Sequence, residues 1–417
     1  MSPRALVAIL TLGLVSCSRV PAPTLDSVAR DYLRNAVALG ERDPDALDYY
    51  YGPADLVADI HAKPPTLKQL AQSATDSLSK LSAIQTDPAR QHFLTAQLQA
   101  IIARTGLLLG KRQPFDEEAA AFFGFRPPST DPAASQPIRE QIARRLPGPK
   151  PLVERFNSFD AKFMIPPEQL PAVMARALEA CREQTLAHLQ LPAGEHVALE
   201  FVGNKPWSAY SYYHGNFQSV IQINADFGLT VDRALQLACH EGYPGHHVFN
   251  VLTDQYLVRG RHRIELFAQP TFSPQSFTSE AAATVAPQIA FPSQDRIRFE
   301  RDVLFPLAGL KPTDVAGYLE IERMVESLAP EELSIARDYV NENLEFVRAA
   351  EALEERALMA HPEATIRYLN EFRTYVVTYT AGHDLMRNWL SSHSAKSENR
   401  WEALRQLILR PEAFATR

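Results

Sequence analysis

The chain has 417 residues, 46% of them hydrophobic and 22% charged, an ordinary globular composition with enough length for one large domain or two. A formal net charge of −7, with acids and bases interspersed, leaves no basic block to neutralise phosphates and speaks against nucleic acid as a partner.

At the N-terminus, Arg4 precedes an apolar run over residues 5–15, about the length of a signal-peptide core and too short to span a bilayer comfortably. The run ends in Leu14-Val15-Ser16-Cys17, which resembles the lipobox of bacterial lipoproteins. That resemblance implies a signal peptide over residues 1–16 and lipid on Cys17. The mature chain would then be anchored in the cell envelope and face the periplasm or exterior. Residues 17–24, with Val20-Pro21-Ala22-Pro23-Thr24, read as a short tether. No later segment is apolar enough to span a membrane. The two remaining cysteines, Cys181 and Cys239, have the option of a disulfide, although spacing alone does not bring their Cα atoms together. Cys239 beside His240 reads as a small buried hydrophobe, since adjacent helical residues point about 100° apart.

Residues 25–137 read as an N-terminal helical region. Leu25, Val28, Ala29, Tyr32 and Leu33 recur at three and four, and Phe93, Leu94, Leu98, Ile101, Ile102 and Leu108 form a longer stripe. Tyr49-Tyr50-Tyr51-Gly52-Pro53 turns the chain between them, and the proline-rich residues 125–137 form a loop. Residues 138–417 follow as a catalytic region, expected to be continuous with the first. A helix over residues 166–189 gives way to three strand-like segments at 197–202, 209–213 and 218–223, read as a small antiparallel sheet. Ser273-Pro274 then starts a helix kinked near Pro287. Residues 315–409 are nearly all helical by period.

Just after the sheet comes His240-Glu241-Gly242-Tyr243-Pro244-Gly245-His246-His247. In a His-Glu-x-x-His helix, histidines at i and i+4 grip zinc while the glutamate acts as general base. Here Pro244 stands at i+4. An unbroken helix would set His247 about 10 Å beyond His240, too far for one metal. Pro244-Gly245 forces a bulge or break, because proline removes a helical N–H and glycine permits unusual dihedrals. A two-residue bulge brings His246 into the second ligand's place, a three-residue bulge His247. His246 is preferred, leaving His247 to line the substrate site. A third ligand is required, with Glu280, Glu265 and His262 as candidates. Glu280 is preferred because Ala281, Ala282 and Ala283 let another helix approach, whereas the charged run 259–265 reads as a solvated face. Tyr375, Tyr379 and His383 fall at i, i+4 and i+8, one face of one helix: either a core stripe or donors aimed at a developing oxyanion.

The motif resembles the His-Glu-x-x-Pro-Gly-His-His hallmark of the bacterial domain of unknown function 885. Asp48-Tyr49-Tyr50-Tyr51-Gly52-Pro53, Phe115-Asp116-Glu117-Glu118-Ala119, Asn204-Lys205-Pro206-Trp207-Ser208-Ala209-Tyr210 and Phe272-Ser273-Pro274-Gln275-Ser276 resemble further segments of it. That family is similar in layout to helical gluzincin peptidases. The resemblance implies a mainly α, gluzincin-like fold with a small antiparallel sheet before the metal-binding helix. It also implies one Zn2+ with Glu280 as the third ligand beside His240 and His246, and Glu241 and Tyr379 catalytic; His247, Tyr375 and His383 are expected, from their positions, around a peptide or amide substrate. Ala281 departs from the glycine that follows this glutamate in many relatives, while Tyr379-x-x-Gly382 resembles a pair near the family's C-terminus. The alternatives are an amidase acting on cell-wall peptides, or a lipoprotein that binds a peptide or metal without turnover.

Overall fold

The structure is a computed structural model that describes residues 22–412 and 414, apart from 206 and 395–398. The expected signal peptide, Cys17 and most of the tether lie outside the described residues.

The protein is mainly α-helical with two small sheets. Leu25–Gly40, Leu67–Ser82 and Pro88–Leu108 pack together as an N-terminal layer. The first two helices begin at capping boxes, where Thr24 and Thr66 each exchange hydrogen bonds with the residue three positions on. The third begins at Asp87-Pro88, with proline in the first turn where no helical N–H is needed. Buried apolar residues of this layer belong to the same core cluster as those of the C-terminal helices, from Leu25 through to Phe414.

A strand interrupts the region expected to be helical. Leu47–Tyr50 (β1) pairs antiparallel with Ala268–Pro270, the last strand in sequence (β5). This pairing draws the N-terminal layer onto the chain just before Ser273, the N-cap of the helix Pro274–Ala290. The charged run 259–265 is not a solvated face. Glu265 is fully buried, taking Arg90 Nε and Nη2 at 2.9 and 2.8 Å and a further bond from Arg263. It is thereby committed to bracing the layers.

The second sheet comprises His196–Val202 (β2), Ala209–Tyr213 (β3) and Gln218–Asn224 (β4), in the order β2-β4-β3. The β3–β4 pair is antiparallel as expected, joined through Gly215, Asn216 and Phe217 at positive φ. β2 lies parallel to β4 on its other side, so β4 is central and has no free edge.

After the sheet, Thr230 caps Val231–Leu237. A wide turn over Ala238–Gly242, a cis Tyr243–Pro244 bond and the helix His246–Leu252 follow. Cys239, buried as expected, is in a disulfide with Cys181 on Leu170–Leu186, which ties the start of the motif to a second helix. The C-terminal third is helical, including Val315–Glu326, Pro362–Phe372 and Ala381–His393. Among the described residues no helix is long and apolar enough to cross a membrane.

Candidate metal centre

The motif helix is stretched by two residues. In a regular helix the N–H of residue i+4 reaches the carbonyl of residue i. Here the Gly245 N–H donates to the Cys239 carbonyl at 3.0 Å, six residues back, and regular bonding resumes with Phe249 N–H on the Gly245 carbonyl at 2.9 Å. Two residues are thus absorbed between His240 and His246, whose rings come to 4.9 Å between centroids. Glycine is required at the crossing: a Cβ at 245 would lie 1.8 Å from the His240 carbonyl oxygen.

Glu280 reaches both imidazoles from the neighbouring helix. Its Oε1 is 3.1 Å from His246 Nε2 and its Oε2 3.6 Å from His240 Nε2. Buried Ala281, Ala282 and Ala283 follow it. Ser279, one residue earlier, has its Oγ 3.1 Å from His246 Nδ1, which fixes the ring and leaves Nε2 as the inward-facing nitrogen. Glu241 is close as well, its ligand atom within 4.8 Å of those of His240 and His246. Two carboxylates therefore face the histidine pair. Glu280 touches both rings, while Glu241 follows a ligand candidate directly in sequence, as a water-activating base does.

This donor set fits a divalent ion of zinc type. Two imidazole nitrogens and a carboxylate are the ligands of open zinc sites. Glu280 Oε2 is buried without a hydrogen-bond partner, an acceptor that a cation would satisfy. Without an ion, burial alone would depress the His246 imidazole, yet Glu280, Glu241 and Asp48 raise it to about 9. Burial opposes ionisation of Glu280 too, but the two histidines hold it well below the usual carboxylate range. A metal held by these residues would take the place of a proton on His246.

His247 does not line the substrate site. Its side chain is fully buried beneath the motif, with Nδ1 2.8 Å from Ser219 Oγ on β4 and Nε2 3.0 Å from Glu195 Oε2. The same Glu195 oxygen accepts from Tyr243 Oη at 2.5 Å, and Oε1 accepts from Arg182 Nη2 at 2.6 Å. One carboxylate thus holds both sides of the Pro244-Gly245 break. Burial would raise Glu195, but its bonds to His247, Tyr243 and Arg182 lower it to about 2.

The three C-terminal candidates do not share a helix face. Arg373–Thr378 is a tight turn, Thr380 breaks the chain, and a new helix begins at Ala381. Tyr375 is buried, with its hydroxyl 3.0 Å from Ser276 Oγ, and so braces the Glu280 helix rather than meeting substrate. His383 lies 3.3 Å from Gln288 Nε2, two turns and about 12 Å along that helix from Glu280. Tyr379 remains more than a third exposed, its hydroxyl 3.3 Å from that of Tyr368. Burial among protein atoms, with Glu280 adding to it, raises its pKa well above the phenol value, so it stays a donor.

Other residues of the site had no part in the motif reading. Asp48 of β1 accepts from Tyr210 Oη of β3 and from Gln269 Nε2 at 2.9 Å, and it feels the charges of His246 and Glu280. Burial raises it to about 6. Tyr368 and Arg233 also belong here, the latter by its electrostatic contact with Glu241 and Tyr379. The segments holding Asp48 and Tyr210 were visible as resemblances, but no ligand spacing marked them.

Solved structures that this chain distantly resembles include the following. A lipoprotein candidate from Colwellia psychrerythraea aligns over 94% of this chain and 74% of its own, at 12% identity and a TM-score of 0.47. A lipoprotein candidate of unknown function from Shewanella oneidensis aligns over 82% and 72%, at 12% identity and a TM-score of 0.40. An M32 carboxypeptidase from Deinococcus radiodurans aligns over 93% and 88%, at 13% identity and a TM-score of 0.38. No family model matches the chain, and no curated protein matches it.

Proposed function

We propose that this protein is a zinc-dependent hydrolase of peptide or related amide bonds, held at the cell envelope by lipid on Cys17. The observation that carries the reading is the meeting of His240, His246 and Glu280 from two helices, with Glu241 beside them. A zinc ion held by those three residues supplies a Lewis acid that polarises a carbonyl and makes water more acidic.

Glu241 takes the proton of the attacking water and passes it to the departing amine. Its backbone lies within the wide turn Ala238–Gly242, directly after His240. Tyr379, partly exposed and within the electrostatic reach of Glu280, supplies a protonated hydroxyl suited to stabilising charge on the carbonyl oxygen. Asp48, which accepts from the Tyr210 hydroxyl, adds a further acidic group within the electrostatic reach of His246 and Glu280. An extended substrate has no edge on β4, whose two sides are occupied by β2 and β3.

The test is Glu241→Gln in the full mature chain, assayed for zinc content and for cleavage of a mixed peptide library. Zinc is expected at wild-type stoichiometry with cleavage lost. Retained cleavage by the variant refutes the assignment of the base, and zinc-loaded wild type that cleaves no member refutes the hydrolase.

A further inference from the structure

Arg233 lies on Val231–Leu237, the helix that leads into the motif, seven residues before His240. Its side chain is exposed to solvent, and the charges of Glu241 and Tyr379 act on it. Its contacts are neutral: Nη1 donates to Gln236 Oε1 at 3.1 Å and Nη2 to Ser208 Oγ at 3.5 Å. Among the described residues it forms no ion pair. The neighbouring acids are engaged elsewhere. Asp232 binds Arg296 and, at 3.0 Å, Gln236 Nε2, while Glu326 takes the same Gln236 nitrogen at 2.6 Å. Glu241 is the first of the charges that act on it.

We infer that Arg233 is a specificity-determining residue that binds a carboxylate of the substrate on one side of the scissile bond. This rests on the hydrolase reading above. An exposed guanidinium with free donors and only neutral partners is suited to a carboxylate, whose two oxygens match its planar fork. The placement is also suitable. Arg233 stands on the helix that runs into the motif, and the charges of Glu241 and Tyr379 act on its guanidinium, which sets it beside the centre that would hold the scissile carbonyl. The substrate carboxylate is either the α-carboxylate of a chain end or the side chain of an aspartate or glutamate.

The experiment uses short N-acetylated peptides in matched sets: a free C-terminal acid against its amide, and amides bearing Asp or Glu against Asn or Gln. Affinity is read by calorimetry on the zinc-loaded full mature chain carrying E241Q, with and without R233Q, and kcat/KM is read on the chain with Glu241 intact. A preference of at least tenfold for one carboxylate-bearing set, lost in R233Q while zinc content and Tm hold, is expected. Preference in the acid-against-amide set identifies a chain end, and preference in the Asp/Glu set a side chain. Equal binding of both members of every set, or a preference unchanged in R233Q, overturns the inference. Should R233Q fail to fold, R233K replaces it: the preference must weaken, because an ammonium keeps the charge without the fork, and an unchanged preference overturns the inference. If Arg233-dependent binding is found while no peptide is cleaved, the inference stands and the hydrolase reading falls.

Discussion

Gly245→Ala isolates the feature on which the metal centre depends. A Cβ at this position would lie 1.8 Å from the His240 carbonyl oxygen and 2.5 Å from that of Cys239. Both are backbone atoms, so no side-chain rotation relieves the clash. To reach 3.0 Å, below which real Cβ contacts essentially never fall, the crossing must open by more than an ångström. Overpacking costs about 1–3 kcal/mol on its own. The displacement falls on the residue before His246, whereas ligand distances tolerate only about 0.2 Å. Loss of an outer partner of a ligand already weakens metal binding about 10–100-fold, so displacing the ligand itself should weaken zinc by at least about 100-fold. Competition against a chromophoric chelator measures this, alongside melting with and without zinc. Gly110→Ala is the control: Gly110 has φ +88° and open space around it, so alanine there brings backbone strain without a clash. It should lower stability by about 1–2 kcal/mol and leave zinc affinity alone. Wild-type zinc affinity in Gly245→Ala would refute the account of the bulge.

Two further predictions concern the adjacent histidines and Glu195. His246→Ala should abolish stoichiometric zinc, whereas His247→Ala, which removes a support rather than a ligand, should weaken it about 10–100-fold; metal analysis after dialysis against graded chelator separates them, and the reverse ranking would reassign the second ligand. Glu195 is held at about 2 against an ordinary value of 4.5, so its stabilisation is fully present above about pH 4.5 and is lost as pH falls towards 2. Urea unfolding should find Glu195→Gln less stable than wild type by roughly 2–3 kcal/mol at pH 6, with the gap closing below pH 4. A gap independent of pH would show that the carboxylate's charge has no part in holding the break.

The stretch between His240 and His246 was legible because its cause is local. Proline cannot continue the helix and glycine permits the crossing, so a break between the histidines follows from one segment, while counting residues leaves its length at two or three. The start of the Glu280 helix was legible for the same reason, since Ser273 caps it and Pro274 occupies its first turn. What was not legible depends on partners far away in sequence. Residues 47–50 become a strand only because residues 268–270 offer a ladder, and Glu265 is buried only because Arg90 meets it from 175 residues away. The even spacing of Tyr375, Tyr379 and His383 promised one helix face, but no residue in that stretch announces the break at Thr380. His247 looked like a site residue because it sits beside His246, yet its role is set by Glu195 and Ser219, which belong to the sheet region.

Glu195 explains how a broken helix can still present two histidines to one point. In an unbroken helix, backbone bonding alone fixes the separation of i and i+4. Here the segment between the histidines contains a proline without an N–H and a glycine without a side chain, and neither restrains it from within. The restraint comes from outside: Glu195 ties Tyr243 before the break to His247 after it, the Cys181–Cys239 disulfide holds the residue before His240, and Ser279 orients the His246 ring from the Glu280 helix. Three separate elements therefore set the ligand geometry that one helix sets elsewhere. The candidate metal centre depends on tertiary packing to that extent, and substitutions at Glu195 or Ser279, which are not among the proposed ligands, should act on metal affinity through the placement of His246.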